Sequence, residues 1–111
     1  MENNLLHNPH AGEILKYEFL EELDISENTL AVSLGLTYPT IQRIITGKLK
    51  MTADIDLRLC RYFRLSDGYF LRLQNAYEIM EAKRNLGEIL NQIIPYSLRS
   101  KSKLTILRSP G

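Results

Sequence analysis

Residues 26–52 constrain the fold of this chain most, because they carry the backbone signals of two short helices joined by a tight turn. Ser26 and Thr37 are residue types that cap helix N-termini, so each predicts the start of a helix. Gly35 can adopt the left-handed conformation that ends the first helix, and Gly47 can end the second. Together these residues predict a helix-turn-helix.

Apolar and polar residues of the same stretch divide between two sides of the predicted helices. Ala31 lies four residues before Gly35, where a small side chain lets the helices approach each other. The apolar contacts between the helices are expected from Leu30, Leu34, Leu36, Ile41 and Ile44. The outward polar face is left with Tyr38, Pro39, Thr40, Gln42, Arg43 and Thr46. This pattern favours DNA as the ligand, although similar helix pairs also serve as scaffold in proteins that bind no nucleic acid.

Charge is segregated along the chain, although the net charge is only +1. Residues 1–36 hold seven acids and one base, a net charge of −6, and residues 37–64 hold six bases and two acids, a net charge of +4. Residues 65–88 carry −1 and residues 89–111 carry +4. The basic block begins where the second motif helix begins, and phosphate contacts depend on the local field. The distribution therefore favours a nucleic-acid partner for that helix.

Length and composition predict one domain in a reducing compartment. The 111 residues suit a single core, and 44% hydrophobic with 24% charged residues is typical of a globular protein. No apolar run approaches the ~18 to 20 residues that cross a membrane, and the N-terminus lacks a secretory pattern. The single cysteine, Cys60, excludes an intrachain disulfide and is interpreted as a small buried hydrophobe. We therefore expect a cytoplasmic protein with no membrane partner.

Few residues have the spacing of a metal or catalytic site. His7 and His10 are three residues apart, but no second pair of ligand residues accompanies them. His10 is therefore assigned to the entry of the first helix. No carboxylate pair, nucleophile–base set or phosphate-binding loop is visible. The sequence predicts neither a metal, a cofactor nor an enzymatic reaction.

Three further helices are predicted beside the motif, each with an apolar stripe. The first, at residues 11–23, has its stripe at Leu15, Phe19 and Leu23. The fourth is capped by Thr52 and has an inner stripe of Ile55, Leu59, Tyr62 and Phe63. Ser66 and Asp67 should cap the fifth, whose stripe is Tyr69, Phe70, Leu73, Ala76, Tyr77 and Met80. Five short helices cannot bury so many large apolar side chains within one protomer, so we expect part of this stripe to form a homodimer interface.

The residues after the fifth helix predict an extension. Leu86, Leu90, Ile93 and Ile94 form a helical pattern that runs to Pro95. Gly87 is a weak point of this predicted helix. Residues 96–111 are rich in Ser, Arg and Lys and are expected to be mobile, with residues 104–107 as a candidate strand. The predicted fold is all-α: a five-helix domain at residues 1–84 that contains the helix-turn-helix, and a C-terminal helical extension with a basic tail at residues 85–111.

Four groups of residues between Pro9 and Lys83 resemble one known family. The first group is His10-Ala11-Gly12-Glu13-Ile14-Leu15 with Glu18-Phe19-Leu20. It is similar to the family's His-Pro-Gly-Glu-Ile-Leu opening, with Ala11 at the proline position. The second comprises Leu30-Ala31, Leu34-Gly35, Ile41, Ile44 and Gly47-Lys48. The third is Met51-Thr52-Ala53-Asp54 with Leu57-Arg58-Leu59, and the fourth, similar to a Trp-Leu-x-Leu-Gln-x-x-Tyr element, is Phe70-Leu71-Arg72-Leu73-Gln74-Asn75-Ala76-Tyr77. In this order and spacing they resemble the HigA-type (VapI-like) antitoxins of the Xre, lambda-repressor-like helix-turn-helix class.

The resemblance implies a dimeric, lambda-repressor-like protein that represses its own operon and neutralises a RelE-like ribonuclease toxin. Three positions depart from the family's pattern. Glu27 stands where many relatives place a glutamine that touches phosphate, and Thr29 and Thr40 stand where basic residues are frequent. An acid beside a phosphate weakens binding, so the departures predict modest affinity or a shifted docking.

The second motif helix is expected to enter the major groove of double-stranded operator DNA. Gln42 would pair with adenine, Arg43 would contact guanine or phosphate, and Lys48 would hold a phosphate beside the groove. The full predicted DNA-binding set is Thr37, Tyr38, Pro39, Thr40, Gln42, Arg43, Thr46, Lys48 and Lys50. A cognate basic toxin would be received by the acidic first helix at Glu18, Glu21 and Glu22. Two alternatives stay open: a stand-alone Xre-type regulator without a toxin, and a protein-interaction module that uses the helix-turn-helix as scaffold.

Overall fold

The computed structural model describes residues 7–97, which form six helices and no β-strand. The first helix, α1, consists of three consecutive segments, Ala11–Ile14, Leu15–Leu20 and Glu21–Leu23. The others are α2 (Glu27–Leu34), α3 (Tyr38–Ile45), α4 (Ala53–Phe63), α5 (Tyr69–Leu86) and α6 (Glu88–Gln92). The all-α prediction is confirmed, with α2 and α3 as the helix-turn-helix. The candidate strand at residues 104–107 and the tail from residue 98 lie outside the described residues.

Local capping signals begin the helices of the motif where the sequence predicts them. Ser26 accepts a hydrogen bond from the backbone N–H of Thr29 at 3.0 Å and so begins α2. Thr37 does the same for α3, and Thr52 for α4. Gly35, at φ 73°, ends α2 in the left-handed conformation that glycine adopts without strain. Each cap satisfies a backbone group that the end of a helix leaves without a partner.

The middle segment of α1 is a π-helix, and it changes which side chains face the core. A π turn holds more residues than an α turn, so the buried face of the helix rotates across the segment. Leu15 and Leu20 are buried and Phe19 packs against the core, whereas Leu23 is 55% exposed. The predicted stripe is therefore wrong at Leu23, whose place in the core is taken by Leu20.

The core lies where α1, α4 and α5 meet the back of the helix-turn-helix. An aromatic cluster joins these helices, with Phe19 centred 4.9 Å from Phe63 and 5.2 Å from Phe70. The apolar residues of the motif are buried against the same core, namely Leu30, Ala31, Leu34, Ile41, Ile44 and Ile45. One side of α3 therefore packs against the core, and its other side is exposed to solvent.

The start of α5 is capped from α4 and not, as predicted, by Ser66 or Asp67. The carboxylate of Asp56, a buried residue, accepts hydrogen bonds from the backbone N–H groups of Gly68 at 2.7 Å and Phe70 at 2.8 Å. Gly68 precedes the helix at φ 92°, and no side chain of its own segment caps it. A carboxylate at a helix N-terminus also interacts favourably with the helix dipole. Asp56 therefore joins α4 to α5 through a buried polar contact.

The last two helices leave much of their apolar surface uncovered. On α5, Phe70 and Gln74 are buried, while Ala76 and Met80 of the predicted stripe are exposed. The helix breaks at Gly87, as predicted, and α6 ends at Gln92, before the predicted limit at Pro95. Large exposed apolar residues of this end of the molecule are Ile79, Met80, Leu86, Ile89, Leu90, Ile93, Ile94 and Tyr96. Tyr62 of the predicted α4 stripe is also exposed.

Candidate nucleic-acid interface

The helix α3 presents a polar surface because its sequence is strongly two-sided. Ile41, Ile44 and Ile45 are buried, so the helix cannot turn its other side inward without exposing them. The remaining positions of the helix and its two caps carry the predicted contact residues. Thr40 and Gln42 are half-buried and the others are exposed: Thr37, Tyr38, Pro39, Thr40, Gln42, Arg43 and Thr46. The structure therefore brings these seven predicted residues to one helix and its caps.

Both ends of α3 are closed by its own side chains. The hydroxyl of Thr37 accepts from the backbone N–H of Thr40 at 3.3 Å, and the two hydroxyls share a hydrogen bond of 2.8 Å. At the other end, the hydroxyl of Thr46 donates to the backbone carbonyl of Gln42 at 2.9 Å. These three polar side chains already have partners in the unbound protein, so any contact to a ligand must share or exchange those bonds.

The loop after α3 carries the two predicted lysines, Lys48 and Lys50, which differ in their contacts. The backbone N–H groups of Lys48 and Leu49 donate to the carbonyl of Arg43 at 2.8 and 3.0 Å, which holds the loop against the helix. The ammonium of Lys50 lies 3.3 Å from the carboxylate of Glu78 on α5. A hydrogen bond from Gln74 and the charge of Lys50 lower the pKa of Glu78. Both lysines are exposed, but Lys50 already has an anionic partner.

An acidic residue contacts the surface of α3 directly. The side-chain amide of Gln42 donates a hydrogen bond from Nε2 to Oε1 of Glu27, the first residue of α2. Both residues are half-buried. Sequence reasoning identified Glu27 as a departure from the family's pattern but placed it beside phosphate and missed this contact. The fifteen-residue separation explains the miss, because no local rule pairs residues that far apart.

The position of α1 against α3 depends on His10 and Gly12. His10 Nδ1 accepts from the backbone N–H of Gly12 at 3.0 Å, and the carboxylate of Glu13 accepts from the backbone N–H of His10 at 3.1 Å. This capping box confirms the assignment of His10 to the helix entry. A Cβ atom at Gly12 would lie 1.9 Å from the carbonyl oxygen of Ile44, so only glycine allows this approach of α1 to α3.

Known proteins that are similar to this chain include an antitoxin that was solved with promoter DNA. No family model matches the chain. Virulence-associated protein I of Dichelobacter nodosus is 36% identical over 93 residues, which cover 84% of this chain and 85% of that protein. The Pseudomonas aeruginosa antitoxin HigA, solved with the higBA promoter, is 36% identical with a TM-score of 0.73, and the match covers 80% of this chain and 97% of that chain.

The chain belongs to the HigA antitoxin family.

A further Pseudomonas aeruginosa structure, a complex with its operator DNA, has a TM-score of 0.76 and 37% identity over 81% of this chain and 96% of that chain. The HigA-type, VapI-like resemblance of the sequence is thus confirmed, and with it the Xre-type helix-turn-helix. Other proteins similar to the chain are named as HTH-type transcriptional regulators.

The acidic residues assigned to a toxin, Glu18, Glu21 and Glu22, are exposed in this HigA-family chain, but they do not line one cleft. Glu18 lines a cleft with Tyr17 and His7 near the start of α1. Glu21 lines a different cleft of about 520 Å³, which continues past Asp24 to the ends of the motif helices. Glu22 lines neither of these clefts.

A metal site within residues 7–97 would need several ligand side chains close together. No group of three or more His, Cys, Asp or Glu side chains in that range is arranged to hold a metal ion. None of the helices described is both long and apolar enough to span a bilayer. Cys60 is fully buried, as interpreted from the sequence, and burial raises the pKa of its thiol.

Proposed function

We propose that this chain is a sequence-specific DNA-binding repressor that also acts as the antitoxin of a type II toxin–antitoxin module. The observation that carries the proposal is the exposed polar side of α3, which is fixed by buried isoleucines and followed by a basic loop. Similar proteins of 36% and 37% identity were solved with promoter or operator DNA, which supports the same class of ligand here.

In this proposal α3 lies in the major groove. Gln42 pairs with adenine, Arg43 contacts guanine or phosphate, and Tyr38 and Pro39 touch base edges or thymine methyls. Lys48 binds phosphate from the loop, so it anchors the protein without reading sequence. No chemistry on the DNA is involved, and repression follows from occupancy of the promoter.

The test is footprinting and electrophoretic shift on the DNA upstream of the protein's own gene. Arg43→Ala should weaken binding to the protected site, because Arg43 lies on the outer side of α3. Arg61→Ala is the matched control, since Arg61 is also an exposed arginine but lies on α4. Absence of a protected site, or equal losses for the two variants, would contradict the docking.

The homodimer is proposed from the uncovered apolar side chains of α5 and α6. Ile89 and Ile93 are more than half exposed, a condition that pairing of two copies would relieve. Two copies would also place two α3 helices on half-sites about 34 Å apart. Ile89→Lys should shift sedimentation equilibrium from dimer to monomer, whereas Val32→Lys should not, because Val32 is also an exposed apolar residue but lies on α2. A parent protein that is monomeric at tens of micromolar, with and without DNA, would overturn this proposal.

The toxin partner is proposed to be a basic, RelE-like ribonuclease encoded beside this gene. Coexpression should rescue growth of cells that express that neighbour. Three exposed carboxylates on α1 should be replaced together by lysine: Glu18, Glu21 and Glu22. This replacement should slow association with the toxin, because it reduces charge complementarity. An unchanged association rate would remove this surface from the proposal, and DNA binding without any rescue would favour the stand-alone regulator.

A further inference from the structure

The hydrogen bond between Glu27 and Gln42 joins the two helices of the motif beside the proposed DNA-binding surface. Glu27 is the first residue of α2, and Gln42 lies on the second turn of α3. Apart from this bond, the packing of the two helices is dominated by buried apolar side chains such as Leu34 and Ile41. Glu27 also lies where the N-terminus of α2 favours a negative charge.

The bond fixes the orientation of the Gln42 amide. A free glutamine amide can exchange its donor and acceptor ends by rotating half a turn. A carboxylate accepts hydrogen bonds and donates none, so Glu27 selects the orientation in which Nε2 faces it. The carbonyl oxygen and the second N–H of the amide are then left for a ligand, and the oxygen accepts no hydrogen bond within the described residues.

We propose that Glu27 is a positioning residue that makes Gln42 read adenine and reject guanine. Adenine offers one donor and one acceptor in the major groove, which match the carbonyl oxygen and the remaining N–H of Gln42. Guanine offers two acceptors, and a glutamine amide satisfies both only with both of its N–H groups. Since Glu27 already holds one N–H, Gln42 can make one bond to guanine and two to adenine.

The inference rests on the proposed DNA-binding function, and its test begins with selection of duplexes from a random-sequence pool by the unmodified protein. The base pair that Gln42 reads is identified as the position at which the Gln42→Ala variant no longer prefers one base over another. Each selected duplex is then titrated by fluorescence anisotropy with adenine or guanine at that position. The unmodified protein should prefer adenine by roughly 5- to 150-fold, the range of a bidentate contact.

Two substitutions of Glu27 separate its position from its charge. Glu27→Gln removes the charge and the fixed acceptor, so binding to every duplex should strengthen while the preference for adenine falls about 3- to 10-fold. Glu27→Asp keeps the charge on a side chain about 1.5 Å shorter, so preference should fall by a similar factor without general strengthening. Asp67→Asn is the control, because it removes an exposed charge just before α5, outside the helix-turn-helix, and should leave the preference unchanged.

In the Gln42→Ala background, substitution of Glu27 should produce no further change in preference, since the residue acts through Gln42. An adenine preference unchanged in both Glu27→Gln and Glu27→Asp, with the fold verified by circular dichroism, would overturn the inference. If the unmodified protein selects no sequence at all, the proposed function fails instead, so the two failures are distinguishable.

Discussion

Replacement of Asp56 should destabilise this fold more than replacement of the acidic residues on its surface. Its carboxylate is 1% exposed and accepts the backbone N–H groups of Gly68, Phe70 and Leu71 at 2.7, 2.8 and 3.1 Å. Cys60 adds a weak contact from its sulfur at 3.5 Å. Asp56→Ala leaves three backbone donors at the start of α5 without an acceptor.

The magnitude follows from how easily water can replace the carboxylate. An unsatisfied buried donor costs about 1 to 3 kcal/mol, and the bond to Phe70 is fully buried. Those to Gly68 and Leu71 are partly buried, so water can replace part of each loss. We expect Asp56→Ala to lower the free energy of unfolding by about 3 to 5 kcal/mol, a large share of the roughly 5 to 10 kcal/mol typical of a domain this size. Asp56→Asn retains one acceptor oxygen and should cost about 2 to 3 kcal/mol.

Urea denaturation followed by far-ultraviolet circular dichroism measures these costs, at one protein concentration because self-association would shift the midpoint. Asp67→Ala is the control, since Asp67 is the exposed acid that sequence rules assign to the same helix start. It should change stability by less than about 0.5 kcal/mol. A loss for Asp67→Ala equal to that for Asp56→Asn would refute the assignment of the cap.

Three further predictions follow from contacts at the interface and in the core. Gln42→Ala should cost about 1 to 3 kcal/mol on the operator with little change on random DNA, while Lys48→Ala should weaken both alike and lower the salt slope of binding by about one unit. The pKa of Glu78 is lowered from its ordinary value of 4.5 in the folded protein, so the ionised carboxylate stabilises the fold at pH values above 4.5. This stabilisation is lost as the pH falls through the lower pKa of the folded state, so Glu78→Gln should reduce the acid dependence of unfolding. Cys60 is buried and burial raises the pKa of its thiol, so a thiol reagent should label it at the rate at which the fold opens, and faster in Asp56→Asn.

The sequence could predict the features of the fold that depend on neighbouring residues. Ser26, Thr37 and Thr52 cap helices through bonds that span three residues, and residue type alone reveals such caps. The α3 face was predictable for the same reason, because buried isoleucines at helical spacing determine it.

The missed features all depend on residues distant in the chain or on helix geometry. Asp56 caps α5 across at least twelve residues, and Glu27 reaches Gln42 across fifteen. Both pairs are brought together by the packing of helices, which pattern rules do not specify. Leu23 was placed in the core because a regular α-helix was assumed through Leu15–Leu20.

The π segment of α1 has an evolutionary consequence. A π turn is geometrically equivalent to an α-helix with one residue inserted while the flanking turns remain in place. Each residue of an α-helix advances by about 100° around the axis, so residues beyond the insertion differ by that angle from those of an uninterrupted helix. A relative without the insertion could match this chain letter for letter after Leu20 and still direct its carboxylates elsewhere. Side chains at the positions of Glu21 and Glu22 therefore point in equivalent directions only in chains that share the π segment.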